Sequence, residues 1–241
     1  MAQKEILGNF FGRTLVQSTS KLGGSRNVFV KLQGLKNELV FPTFGGQVKN
    51  PFKGAAKIFA GDLIEYRTNS KGVEPEIYIL KSYEVVSVSG TTLNIVRDGY
   101  HHIPFAGDRI GLVDAEDGTA AGAVVSAVAK TKAGDKDVWA LTLSATITGV
   151  KAGDILTEIT SDNKPVVGTI NAVASCDYDF CFAPAADPTS ETDDFENARY
   201  FMTPALGGIM YKHKMSPIPA YVEKFNESRI NGWFEIHGVH V

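Results

Sequence analysis

The sequence predicts an all-β protein, mainly antiparallel and built as small barrels or a sandwich, with an extended N-terminal arm and one short C-terminal helix. Three observations predict it. Short apolar or alternating runs follow one another from about residue 60, turn dipeptides separate them, and no long helical stripe interrupts them before about residue 216. With 241 residues, 24 of them glycine, the chain is long enough to bury a core and rich enough in turn formers to connect many strands.

Residues 1–59 form the arm. They show neither a 2-residue nor a 3.6-residue period, and they carry the Gly23–Gly24 and Gly45–Gly46 pairs with Pro42 and Pro51. Isolated aromatics punctuate them: Phe10, Phe11, Phe29, Phe41, Phe44 and Phe52. A flexible linker is usually Gly/Ser-rich or charged, so this Phe content suits anchors that enter separate pockets on a partner. The arm is also basic. Residues 1–60 hold nine Lys/Arg, Lys4 and Arg13 among them, and two acids, a net of +7; the remainder holds 15 bases and 25 acids, a net of −10. A basic arm beside an acidic body points to contacts between subunits or with a polyanion, against the plainer reading of a solvated basic loop. The expected partner-binding residues are therefore Phe10, Phe11, Phe29, Phe41, Phe44, Phe52, Lys4 and Arg13.

Residues 60–185 form the β body. Strand-like runs lie at 62–67, 76–88, 91–97, 108–113, 122–129, 137–145, 153–159, 166–174 and 178–183, with turn signals such as Ser89–Gly90, Asp98–Gly99 and Ala133–Gly134–Asp135 between them. The tripeptide Ala-Gly-Asp opens a strand at 60–62, 106–108 and 152–154, at two equal intervals of 46 residues. Glycine admits positive φ and aspartate accepts from nearby backbone N–H groups, so the tripeptide is a good turn. Equal spacing predicts that Asp62, Asp108 and Asp154 occupy equivalent positions in a duplicated body. A fourth copy at 133–135 supports the alternative that the tripeptide recurs only because it turns well.

Residues 186–241 form the C-terminal segment. Its boundary with the body falls in an acidic stretch, Asp177 to Glu196, with seven acids and no base. Ser216–Pro217 predicts a helix start, Ile218, Tyr221, Val222 and Phe225 give its apolar stripe, and Asn231–Gly232 ends it. WFEIHGVHV alternates as a final strand.

No apolar run approaches the roughly 18 residues of a membrane span, and the first residues carry no secretory h-region. Two cysteines make no disulfide framework, which suits a reducing cytoplasm. Catalytic signatures are missing: no phosphate-binding loop, nucleophile elbow or HExxH. His101 and His102 are neighbours that a strand would point to opposite faces. Cys176 and Cys181 supply two of the four ligands that structural zinc needs. Asp114, Glu116 and Asp117 lack the spacing of a calcium loop. Single-stranded nucleic acid would want bases interleaved with aromatics on a sheet, and the body is acidic. The expectation is a non-enzymatic protein with no cofactor and no metal.

The AGD-led segments, VVSVSGTTLNIV, AVVSAVAKTKAGDKDVWALTLSA and MSPIPAYVEKFNESRINGWFEI resemble auxiliary or decoration proteins of tailed-phage capsids, nearest those of crAss-like phages. The resemblance covers most of 60–241 and rests on texture. It implies a virion protein, assembled in the host cytoplasm, that docks on major capsid subunits or other virion proteins and can self-associate. The alternative is a head-fibre, tail or other surface-binding β module for glycans or a protein. It would need exposed aromatics, with Trp139, Trp233 and Tyr100 as candidates, and alternation places Trp139 inside.

Overall fold

The computed structural model describes residues 5–10, 13–17, 45–67, 75–99, 101–114, 120–180, 200–206, 208–211, 215–222 and 234–237. Strands dominate them and the pairing is mostly antiparallel, as expected. The chain divides into two compact units, one of Met1–Ile79, Asn171–Met215 and Gly232–Val241, the other of Leu80–Ile170 and Ser216–Asn231.

The first unit is built on a six-stranded sheet. Its strands are β3 (Gly46–Val48), β5 (Leu63–Arg67), β6 (Glu76–Ile79), β13 (Ala172–Ala174), β15 (Phe201–Met202) and β16 (Pro204–Ala205), in the order β15-β3-β6-β5-β13-β16. Three strand pairs accompany it: β1 (Glu5–Phe10) with β2 (Arg13–Gln17), β4 (Ala56–Ile58) with β14 (Tyr178–Phe180), and β17 (Gly208–Tyr211) parallel to β18 (Phe234–His237). The last pair includes the strand expected at the C-terminal end.

The arm expected over 1–59 does not extend through its last fifteen residues. Residues 45–59 supply β3 and β4, and Val48, Phe52, Ala56 and Ile58 are buried there. The Phe52 ring sits edge-on to Phe180, centroids 5.4 Å apart, and Phe180 meets Tyr200 at 4.3 Å. Asn50 completes the fit: its side chain donates to the Ile79 carbonyl (2.8 Å) and accepts from the Ile79 N–H (2.7 Å), acting as a further strand residue. Short strands separated by Pro51 and Gly54 hide the period on which the sequence reading relied.

The second unit holds a closed barrel of β7 (Ser82–Ser89), β8 (Thr92–Val96), β9 (Arg109–Leu112), β10 (Ala121–Ala133), β11 (Lys136–Leu143) and β12 (Ile155–Glu158), in the order β10-β11-β8-β7-β12-β9. The run expected over 76–88 is thus two strands in two units, broken at Leu80–Lys81. Tyr83, Val85, Leu93, Ile95, Ile110, Val125, Leu141 and Leu156 fill the barrel core. Closing the ring leaves each inward side chain with apolar neighbours on all sides.

The barrel has an internal twofold pattern. Exchanging β7, β8 and β9 with β10, β11 and β12 returns the same pairings: β7–β8 becomes β10–β11, and β7–β12 becomes β10–β9. The pairs that map onto themselves are Leu93↔Leu141 and Gly111↔Thr157. Matching bulges lie between Val85 and Ser87 and between Val125 and Ala127. Both hairpins turn through two residues, Gly90–Thr91 and Gly134–Asp135, each glycine at positive φ.

The three AGD turns are superimposable in their bonding. Gly61, Gly107 and Gly153 have φ of 85, 86 and 88°. Asp62, Asp108 and Asp154 each accept, through Oδ2, the N–H three residues back: Phe59 at 2.7 Å, Phe105 at 2.8 Å and Lys151 at 2.8 Å. Each turn then clasps one residue of a neighbouring strand by two backbone bonds, Ala174, Val125 and Val85 respectively. The first turn belongs to the first unit and the other two to the barrel, so the local motif recurs three times and the six-strand duplication involves only the second and third. The fourth AGD is a hairpin tip and lacks the clasp.

The C-terminal helix begins at Ala220 rather than at Pro217. Pro219 follows Ile218, and a residue before proline is pushed out of the α region, so the helix starts after the second proline. Ile218, Tyr221 and Val222 are buried as the stripe predicted, and the Tyr221 hydroxyl donates to the Val167 carbonyl at 2.8 Å. Phe225 and the expected end at Asn231–Gly232 lie outside the described residues.

Candidate interaction surface

The two hairpins related by the barrel's twofold differ in length. The β7–β8 hairpin ends at the pair Ser89↔Thr92, whose equivalent is Ala129↔Ala140. The β10–β11 hairpin continues through Lys130↔Trp139, Thr131↔Val138, Lys132↔Asp137 and Ala133↔Lys136 before it turns. β8 still flanks β11 at Trp139 and Val138, so the last two pairs are the ones that carry the hairpin past the barrel strands. Lys130, Thr131, Lys132, Asp135, Lys136 and Asp137 are exposed.

At the foot of this projection stands Trp139. It is half-buried, packed against the barrel core from the inward row, and flanked by two cations. The Arg97 guanidinium lies 5.3 Å and the Lys130 ammonium 5.4 Å from its ring centroid. Both distances are within reach of a cation–π attraction. Sequence alternation therefore placed the ring correctly on the inward face, and missed that this row runs out at the barrel mouth.

Only part of β10 is paired on its other side. β9 covers Ala121 to Val124, and Val125 is held by the Gly107–Asp108 turn. From Ser126 to Ala133, no strand among the described residues pairs with the outer edge of β10.

The polar residues singled out in the sequence fall into different environments. His101 Nδ1 is 2.7 Å from Asp98 and Nε2 is 3.1 Å from Glu84. Burial alone would lower its pKa, but the bonds and charges of Asp98 and Glu84 outweigh this and raise it. His102 is buried, and its Nδ1 accepts the Ser82 N–H at 3.0 Å. The pair therefore does not converge on one ion. Cys176 is an exposed thiol, and Cys181 lies outside the described residues. Asp114 is exposed, while Glu116 and Asp117 lie outside them. Among the described residues, no group of three or more His, Cys, Asp or Glu is placed to hold a metal. Likewise, no helix is long and apolar enough to cross a membrane.

Several buried polar groups escaped the sequence reading, Lys81 among them. Lys81, 1% exposed at its side chain, meets Glu158 at 3.1 Å near the fully buried Tyr83. Burial, then the carboxylates of Asp108 and Glu158, push the Tyr83 phenol well above its ordinary pKa. Nothing in the local pattern marks Lys81, because a lysine between strands reads as solvated.

Of the expected partner-binding residues, Phe52 is spent in its own unit's core. Phe10 and Arg13 are register partners of β1 and β2. Lys4, Phe11, Phe29, Phe41 and Phe44 lie outside the described residues, as do Tyr100 and Trp233. Compared with known proteins, the chain matches no family model, no curated protein and no solved structure.

Proposed function

We propose that this chain is a structural docking protein of a larger assembly and, within that class, a capsid-associated auxiliary protein of a tailed phage that binds major capsid subunits without catalysing a reaction. The supporting observation is the four-pair extension of the β10–β11 hairpin beyond its twofold equivalent. Most side chains on that extension are exposed, so burial within its own unit supplies little of the free energy that orders it. Its end, Lys132↔Asp137 and Ala133↔Lys136, lies past the last β8 pair and offers contact area to a neighbour. Phe10, Phe11, Phe29, Phe41 and Phe44 stay in the proposal as anchors ahead of Gly45, with Lys4 and Arg13 guiding approach; Phe52 leaves it.

The test is gradient fractionation of particles from the producing host. The chain should co-migrate with the major shell protein at a fixed copy ratio. A variant in which Gly-Asp replaces Lys132–Asp137 should fold with unchanged barrel stability and lose that association. A chain confined to the soluble fraction would contradict the reading.

A second reading, a glycan-binding fibre or tail module, draws on Trp139 with its flanking Arg97 and Lys130. A glycan array decides it: binding that disappears in Trp139→Ala favours it over docking.

A further inference from the structure

The β10 overhang leaves a specific set of backbone groups facing outward. In a two-residue hairpin the residues flanking the turn form a hydrogen-bonded pair, here Ala133 and Lys136. Bonded pairs then recur at Thr131↔Val138 and Ala129↔Ala140. The alternate residues of β10, Val128, Lys130 and Lys132, must direct their N–H and C=O groups away from β11. The other side of β11 confirms the phase: Asp137 turns its carbonyl outward to the Arg97 N–H, at 3.1 Å. Among the described residues, no strand reaches that outer edge of β10.

We propose that this edge, Val128 to Lys132, takes up an extended acidic segment of a partner protein as an added strand. The inference rests on the docking reading above and names its chemistry. Unpaired edge groups are a template for main-chain pairing, and alternate side chains on the same face then select the sequence. Lys130 and Lys132 lie on one face, two residues apart and both exposed. A strand with carboxylates at every second position places them opposite these ammonium groups. A second copy of β10 would instead set lysines against lysines, and like charges directly opposite are destabilising. The same two lysines therefore discourage edge-to-edge self-pairing and favour an acidic guest.

The test uses the full chain and a capped octapeptide of alternating Glu and Val, with an alternating Lys and Val peptide as control. Titration followed by amide NMR should shift Val128, Lys130 and Lys132 with the acidic peptide alone. Lys130→Pro removes the outward N–H while leaving the ladder to β11, since proline is tolerated where the N–H faces away from the sheet. It should weaken the acidic peptide by roughly tenfold, the effect of one lost hydrogen bond. Lys130→Glu with Lys132→Glu should exchange the preference to the basic peptide, which keeps the test decisive if the proline variant misfolds. Shifts confined to other residues, or equal shifts with both peptides, would overturn the inference. So would a sedimenting dimer that Lys130→Pro dissociates, because the occupant would then be a second copy. Particle association that survives Lys130→Pro would defeat this edge while leaving the docking function standing.

Discussion

Asp62, Asp108 and Asp154 do the same local work at different depths. The first two are 1% and 2% exposed, while Asp154 is half-buried. Losing the side-chain acceptor strands a backbone N–H in each turn, and a buried orphan costs more than a hydrated one. Asp108→Ala should therefore destabilise the barrel by roughly 1–3 kcal/mol in urea melts, and Asp154→Ala by about 1 kcal/mol or less. Asp108→Asn keeps an acceptor and should fall between Asp108→Ala and the unaltered chain. His101 gives a pH signature. Its folded pKa is raised above the unfolded value of about 6.5, so its contribution is complete below that value and is lost as pH rises through the folded pKa. Stability measured from pH 5 to 9 should carry a downward step that His101→Gln removes. Lys81→Met leaves the Glu158 carboxylate beside a buried phenol; breaking such a pair costs about 3–5 kcal/mol, with the low end expected because Glu158 retains 16% side-chain exposure.

At the scale of elements, the close approach of β9 and β10 depends on glycine at Gly111. A Cβ there would stand 2.8 Å from the Ala121 carbonyl oxygen and 2.8 Å from Ile159 Cδ1. The side chain can move, but the carbonyl belongs to the β9–β10 ladder. Gly111→Ala should cost about 1–3 kcal/mol and broaden the amide signals of both strands. Strand positions in the barrel were legible beforehand because one face is buried and alternation follows directly: Leu93 and Ile95, or Leu141 and Leu143, announce it. The three AGD turns were legible too, since glycine at positive φ and an aspartate acceptor are local chemistry. The length of β10 was not. Its last residues, Lys130 to Ala133, carry no large apolar side chain on either face, and an exposed ribbon has no period to read. Nor could the sequence place β3 and β4, whose three-residue lengths carry at most one alternation.

For the molecule as a whole, the main revision concerns residues 45–59. An arm that detaches cleanly would leave the remaining body folded, but Phe52, Ala56 and Ile58 are core residues of the first unit. Deleting 1–59 should unfold that unit, and Phe52→Ala alone should cost about 3–5 kcal/mol by calorimetry. The boundary at residue 60 was misplaced because a composition shift marks where alternation begins, whereas a domain is defined by which residues share a core. The interleaving of 171–215 with the first unit could not be read from local sequence at all, since it depends on long-range pairings such as Val173 with Leu63. The site shares this limit: the outward edge of β10 exists only because β9 stops short of it. That docking runs through this edge of β10 is the central claim, and it is tested most directly by hydrogen–deuterium exchange of the chain free and bound in its particle. It predicts that amides of Val128, Lys130 and Lys132 exchange quickly in the free chain and become protected on assembly. Unchanged exchange along 126–137, with protection appearing elsewhere, would contradict it.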